Sequence, residues 1–229
     1  AEDAVVPIVP AAVLYDLGVG DSTTRPGAGE GYSACLNASA RPVEEGSVGA
    51  GTGATAAKLL GRHRAVKGGL GTSVVHLGQD LLVGAVMAVN ALGGVYDPET
   101  GALVAGPRRE TGHGMTDPLA DPAWIRLDQQ PGAHIGSTTI GVVATNARLT
   151  KAQANKVASV AHDGLAMAVR PAHTMGDGDT IFALATGDPD MPVDMLRICA
   201  AASLAVSEAV VRGVTKARGL SGIPGVNEL

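Results

Sequence analysis

Aromatic residues are nearly missing from this 229-residue chain: one Trp, one Phe and three Tyr. The core must therefore be built from Ala, Val, Leu and Ile. Too few rings are available for a base-stacking platform, and no Lys/Arg block stands out. The formal net charge is −5. Nucleic-acid binding is not expected. Only Cys35 and Cys199 carry thiols, which excludes a disulfide framework and a zinc cluster. Both read as small buried hydrophobes. No apolar run reads as long enough to cross a bilayer, so no membrane partner is expected. The N-terminus "AEDAVVPIVP" lacks a basic stretch and does not read as a signal peptide. A cytoplasmic location follows as an expectation. The first residues already read as strand, as if the chain began in the middle of a fold.

What is present is glycine, 32 residues of it, and hydroxyls in telling places. Without a collagen period, so many glycines imply tight turns or close backbone approaches. Residues 4–17 read as an extended segment broken by Pro7 and Pro10, and residues 18–33 as loop. Residues 69–78 and 80–101 read as strands, turning at Gly93-Gly94 and at Asp97-Pro98. Residues 105–136, which hold Trp124, form a long weak stretch of Gly, Pro, Asp and Arg. Such a loop is uncommon unless functional or cleaved. Residues 138–147 read as a strand. Residues 149–171 read as a helix with Thr150 as its N-cap and Pro171 as its stop. Residues 179–187 read as another strand and 193–219 as a long apolar helix. Strands and long helices without a regular βαβ rhythm indicate an α+β fold.

Three segments carry possible chemistry. "VGAGTGATAAK" (48–58) resembles a phosphate loop but fails its pattern, because Ala57 precedes Lys58 and Leu59 follows it. It reads as a Gly-rich turn into a helix, with Lys58 left over. A lone Lys is usually solvated, but in a cleft it can stabilise an anion. "HTMGDGDT" (173–180) places Asp177 and Asp179 two apart around Gly178. A turn explains this spacing; so does a pair of carboxylates converging on a nucleophile. A metal site would need more oxygen ligands. His162 reads as a helix-face residue, whereas His173, after Pro171, is harder to dismiss. Finally, "GSTTIGVVATNA" puts Ser137, Thr138 and Thr139 at the mouth of a strand.

Together, "VPIVPAAVLYDLGVGD", "GSVGAGTGATAAK", "AVMAVNALGGVYDPETG", "STTIGVVATNARLTKAQANKVASVAHDGLAMAVRPAHT" and "DGDTIFALATG" resemble the L-aminopeptidase/D-esterase family. That family includes β-peptidyl aminopeptidases and endo-type nylon-oligomer hydrolases. The resemblance covers nearly the whole chain. It implies an α-β-β-α four-layer sandwich whose N-terminal part is expected to be absent here. It implies a precursor that cuts itself and frees a nucleophile at a new N-terminus. Carried over, the cut lies between Ser137 and Thr138. Residues 1–137 then form the end of a larger chain and 138–229 a smaller one, together one domain. Family members usually carry Asn or Gly before the nucleophile, so Ser137 as nucleophile, after a cut at Gly136, stays open.

The resemblance implies that Asp177 and Asp179 orient the Thr138 amine and hydroxyl, with Lys58 in the same pocket. It implies that the Asn90 amide helps hold the oxyanion and that Tyr15 lies near substrate. A threonine hydroxyl needs a base, and a freed α-amine has a suitable pKa of about 7.7–8.0. The implied activity is hydrolysis of a small peptide or other linear amide, with no cofactor and no metal. The processed chains are expected to partner each other and to assemble into a tetramer-like homo-oligomer. Two alternatives remain: an acyltransferase like the ornithine acetyltransferases, and an unprocessed, inactive relative kept as an assembly subunit.

Overall fold

The computed structural model describes residues 8–111, 113–120, 136–188, 190–191 and 193–229. Nine strands and three α-helices run through these residues: α1 (Ala28–Leu36), β1 (Thr55–Ala56), β2 (Val66–Lys67), β3 (Gly69–His76), β4 (Leu82–Val89), β5 (Gly94–Tyr96), β6 (Leu103–Ala105), β7 (Ile140–Ala147), α2 (Lys151–Ala168), β8 (Val169–Arg170), β9 (Thr180–Asp188) and α3 (Met195–Thr215). The main sheet has the order β3-β4-β7-β9. β3, β4 and β7 are antiparallel, and β7 and β9 are parallel. Two small sheets, β1-β2 and β6-β5-β8, flank it.

One face of the main sheet is covered by α2 and α3. Val83, Ala85, Met87 and Val89 alternate along β4 and are buried on that face, as a strand's period of two requires. α3 meets them with Ala202, Ala205, Val206, Ala209 and Val210, all fully buried. With so few aromatic rings, the layers close by approaching one another. A Cβ on Gly71 would fall 2.0 Å from the Ala209 carbonyl oxygen, and one on Gly164 of α2 would fall 2.1 Å from that of Ser203. The opposite face of the sheet carries Val74, Val86, Val142 and Leu184, all exposed.

Local signals explain most boundaries. Thr150 and Gln153 form a reciprocal capping box at the start of α2. Asp194 caps α3 by accepting from the Arg197 amide. α2 stops at Ala168, ahead of Pro171, because β8 begins there and pairs with β5.

Several expectations are corrected. Residues 28–36 are helical, so the expected loop at 18–33 ends at 27, although no residue of α1 is buried. Cys35 lies on this helix and is exposed; Cys199, on α3, is partly buried. The Gly-rich segment 48–54 leads into β1, not into a helix, because β1 has β2 as a pairing partner. Residues 106–111 and 113–117 are folded rather than loose. Arg108 bridges Met115, the Arg108 amide donates to the Arg64 carbonyl, and the Tyr96 hydroxyl donates to Asp117 at 2.6 Å. The rest of the expected loop, including Trp124, lies at 121–135, outside the described residues. α3 is long and apolar enough to cross a membrane, contrary to the sequence reading. It is instead a core helix, with Ile198, Ala202, Val206 and Val210 fully buried.

Candidate active site

Strand pairing brings the candidate residues together. β4 runs antiparallel to β7, with Ala88 opposite Ile140, so Asn90 at the end of β4 arrives beside Thr138. The Thr138 amide donates to the Asn90 carbonyl at 3.0 Å. After the α2 crossover, β9 runs parallel to β7 with Thr180 beside Ile140. Parallel pairing puts the two strand starts at the same edge, so residues 137–139 lie along residues 177–179. Ser137 bridges Asp177, the Gly178 amide donates to the Ser137 carbonyl at 2.9 Å, and the Thr139 amide donates to Asp179 at 2.9 Å. The strand itself starts at Ile140, two residues later than expected, because Thr138 and Thr139 bond to Asn90 and Asp179 in its place.

The Thr138 hydroxyl faces Gly178. A Cβ on Gly178 would fall 3.1 Å from Thr138 Oγ1, so the glycine leaves room for the hydroxyl. Ser137, Thr138 and Thr139 are all buried. The Thr139 hydroxyl has no hydrogen-bond partner among the described residues.

Lys58 reaches the site from the segment after β1. Its backbone amide and that of Ala57 donate to Leu92 and Gly93. Its Nζ bonds to the Asn90 carbonyl at 3.1 Å and to Asn90 Oδ1 at 2.8 Å. Lys58 and Thr138 thus donate to the same carbonyl oxygen. Burial, with only 3% of the residue exposed, pushes the Lys58 amine down from 10.5 to about 7. The nearby Arg62 charge acts the same way, while Asp177, Asp179 and Asp16 oppose it.

Asn90 is oriented without ambiguity. Oδ1 accepts from Lys58 and from the Thr55 amide at 3.1 Å, so it must be the oxygen. Nδ2 then points the other way and donates to the Tyr15 carbonyl at 2.9 Å. The Tyr15 ring packs on Gly136, where φ is +81° and a Cβ would fall 2.1 Å from the ring. A cleft of about 190 Å³ opens here, lined by Tyr15, Asp16, Thr55, Lys58, Arg62 and Gly136 among others.

The two carboxylates differ. Asp177 Oδ2 accepts from the Thr174 amide at 2.9 Å and its hydroxyl at 2.7 Å, which closes the turn. The Asp179 side chain is nearly enclosed, with 5% of it exposed. Burial pushes its carboxyl up, the Thr139 amide opposes this, and the Asp177 charge adds to it. Its Oδ2 lies 3.0 Å from His173 Nδ1.

The structure therefore brings together Thr138, Ser137, Lys58, Asn90, Asp177, Asp179 and Tyr15. Sequence reading missed Lys67, which is fully buried and donates to the Thr52 and Ala54 carbonyls, both at 2.7 Å. Burial lowers its amine from 10.5 to about 8. It locks the turn before Thr55, which in turn holds Asn90 Oδ1. An isolated Lys between a Val and a Gly carries no signal of this. Among the described residues no cluster of three or more His, Cys, Asp or Glu is arranged to hold a metal.

Comparison with known proteins matches this arrangement to one group. The family model described as Peptidase family S58 aligns with residues 1–227. An uncharacterized aminopeptidase of Mycobacterium leprae is 42% identical over 96% of this chain and 64% of its own length. A 6-aminohexanoate-oligomer endohydrolase of Kocuria is 30% identical over 81% of this chain and 52% of its own. The chain thus spans roughly half to two thirds of these relatives. Among solved structures, a Burkholderia β-aminopeptidase superposes with a TM-score of 0.61 at 25% identity, over 92% of this chain and 59% of that one. An L-aminopeptidase D-Ala-esterase/amidase of Ochrobactrum anthropi, described as a variant of the Ntn-hydrolase fold, gives 0.56 at 22% identity over 84% of this chain and 50% of that one. The chain has this α+β fold, and its described residues supply a helical layer and a sheet of the sandwich. With the family model matched along nearly its whole length, the chain belongs to peptidase family S58.

Proposed function

We propose that the protein is a self-processing amide hydrolase in which Thr138 is the nucleophile and the Ser137–Thr138 bond is the one first cut. The observation that carries this reading is the double role of Gly178. Its amide donates to the Ser137 carbonyl, and its missing side chain leaves room for the Thr138 hydroxyl. The carbonyl to be attacked is polarised by a fixed backbone dipole, and the attacking oxygen sits beside the same residue.

Before the cut there is no free α-amine, so another base is needed. Lys58 supplies it. Near neutral pH a large fraction of its amine is uncharged. Both N–H bonds of the neutral amine go to Asn90, which leaves its lone pair to accept a proton. Thr138 Oγ1 gives its proton to Lys58 and attacks the Ser137 carbonyl carbon. The Thr138 nitrogen takes a proton and leaves, and an ester replaces the amide. Water then hydrolyses the ester and frees Ser137 as a carboxylate and Thr138 as an α-amine with a restored hydroxyl.

In the mature enzyme that α-amine is the base on the same residue as the nucleophile. Thr138 Oγ1 attacks a substrate amide. The second N–H of Asn90 Nδ2, the one not given to the Tyr15 carbonyl, donates to the oxyanion, and Asp177 and Asp179 orient the ammonium and hydroxyl. The small polar cleft beside Tyr15 accommodates the end of a short peptide or other linear amide.

The two pieces stay together. β4 precedes the cut and β7 follows it, yet they pair along their length, and α3 of the second piece packs on β3 and β4 of the first. N-terminal sequencing of the smaller piece tests the reading and should give Thr-Thr-Ile-Gly. Ser-Thr-Thr would move the nucleophile to Ser137. An intact single chain would sink self-processing.

A further inference from the structure

His173 sits in a backbone conformation that costs energy for a histidine, with φ at +57°. That conformation turns the residue toward Asp179. The His173 amide lies 3.4 Å from Asp179 Oδ2, and ring Nδ1 lies 3.0 Å from the same oxygen. The other carboxylate oxygen, Oδ1, accepts the Thr139 amide. Asp179 is thus a bracket between the His173 turn and the residue after Thr138. Only 5% of its side chain is exposed, so water does little to hold it.

The second ring nitrogen, Nε2, lies 3.4 Å from the His162 carbonyl, and the two imidazoles meet edge-on at 4.9 Å. A neutral imidazole has one donor and one acceptor nitrogen. Here both nitrogens face an acceptor. The nearer and charged acceptor, Asp179 Oδ2, sets the tautomer: the ring proton sits on Nδ1 and is donated to the carboxylate, while Nε2 only approaches the His162 carbonyl.

We propose that His173 is a positioning residue: a proton it shares with Asp179 fixes that carboxylate against the Thr139 amide and so holds Thr138 in place. This rests on Thr138 being the nucleophile. The other charged groups around the pair are His162 and Asp163 on α2, Asp177 on the same turn, and Lys58 across the site. Burial, then the His173 charge, push His162 toward its neutral form, so it does not compete for the proton. Burial of Asp179 favours keeping the proton within the pair.

Two substitutions separate positioning from simple turn closure. Both accept a positive φ. His173→Gly removes the ring. His173→Asn leaves an amide donor near the place of Nδ1 but cannot titrate. Turnover of an amino-acid p-nitroanilide by the processed protein is followed in each. His173→Gly should lower kcat by roughly tenfold or more with KM nearly unchanged. His173→Asn should recover most of kcat. Equal rates in the two variants would overturn the proposal. Nitrogen-15 NMR of the ring gives a readout independent of turnover. At neutral pH the His173 Nδ1 proton should be bound and visible, and it should vanish in Asp179→Asn. A ring protonated only at Nε2, unchanged by Asp179→Asn, also overturns the proposal. If the NMR result holds while Thr138→Ala still turns over substrate, the nucleophile assignment has failed and the proton-sharing pair has not.

Discussion

On one side of Thr138 lie Lys58 and Asn90, nearly excluded from water and tied to each other and to backbone amides. On the other lie Asp177, Asp179 and His173, on a turn whose groups are partly exposed and held by ionisable partners. The first flank is set by strand ends: Asn90 terminates β4, and Lys58 is pinned to the backbone at 92–93. The second flank is set by a turn of small and acidic residues. The difference teaches that one half of the site is fixed by backbone and strand ends, and it is the half to which the proposed mechanism gives the base and the oxyanion donor. The other half is held through side-chain carboxylates, to which the proposed mechanism gives the placement of the nucleophile.

Thr138→Ala removes the group both flanks serve and should have the largest effect. Self-cleavage and turnover should both be abolished, read by intact mass and by p-nitroanilide hydrolysis, with the circular dichroism spectrum unchanged. Retained turnover would dissolve the comparison, since neither flank would then address Thr138.

Lys58→Met tests the first flank. Processing should slow by roughly 10²–10³-fold, the scale of a lost general base. Stability should report the same residue. The fold lowers the amine from 10.5 to about 7, so between those values the unfolded chain binds more protons than the native one. Wild-type Tm should therefore rise as pH goes from 7 toward 10. The rise should shrink in Lys58→Met but persist in part, because Lys67, lowered to about 8, acts with the same sign. An identical Tm slope in the variant would show that Lys58 is solvated.

Asp177→Asn and Asp179→Asn test the second flank. A turn needs only an acceptor at these places, which Asn provides. A charge-dependent role predicts losses of about a hundredfold in rate with little change in Tm. Near-normal kinetics in both variants would reduce this flank to a turn.

Gly178→Ala probes the space between the flanks. The added methyl would stand 3.1 Å from Thr138 Oγ1, tighter than an ordinary contact but short of a clash with backbone. Processing should slow by about tenfold through a displaced hydroxyl. The smallest effect is expected from Thr139→Val, which replaces an unpartnered buried hydroxyl with a methyl of similar shape. Tm should stay level or rise slightly, with the rate little changed. A large drop in rate would place the Thr139 hydroxyl among the reacting groups.

Legibility followed the range of the interaction. Thr150 announced α2 because a cap acts over three residues, and β3, β4, β9 and α3 were readable from apolar runs bounded by turns. α1 was not, because a short helix with no buried face has no periodic pattern to read. The glycine-rich segment before Lys58 was misread as a helix entry, because only its pairing with Val66 and Lys67 makes Thr55–Ala56 a strand. Residues 106–111 and 113–117 looked like loop because their anchors, Arg64 and Tyr96, come from elsewhere in the chain.

The sequence by itself determined the residue types of the site: a hydroxyl at a strand mouth, two acids around a glycine, a Lys after small residues, and an Asn at a strand end. Local spacing also determined that α2 stands between Thr138 and the acids. Only the tertiary structure decided that these residues meet. Antiparallel pairing carries Asn90 to Thr138, and the parallel return of β9 carries Asp177 and Asp179 to the same edge. Burial then turned Lys58 from a surface cation into a near-neutral base, and it placed His173 against Asp179. Desolvation and shared hydrogen bonds depend on what the rest of the chain packs around a group, and no stretch of sequence around that group encodes it.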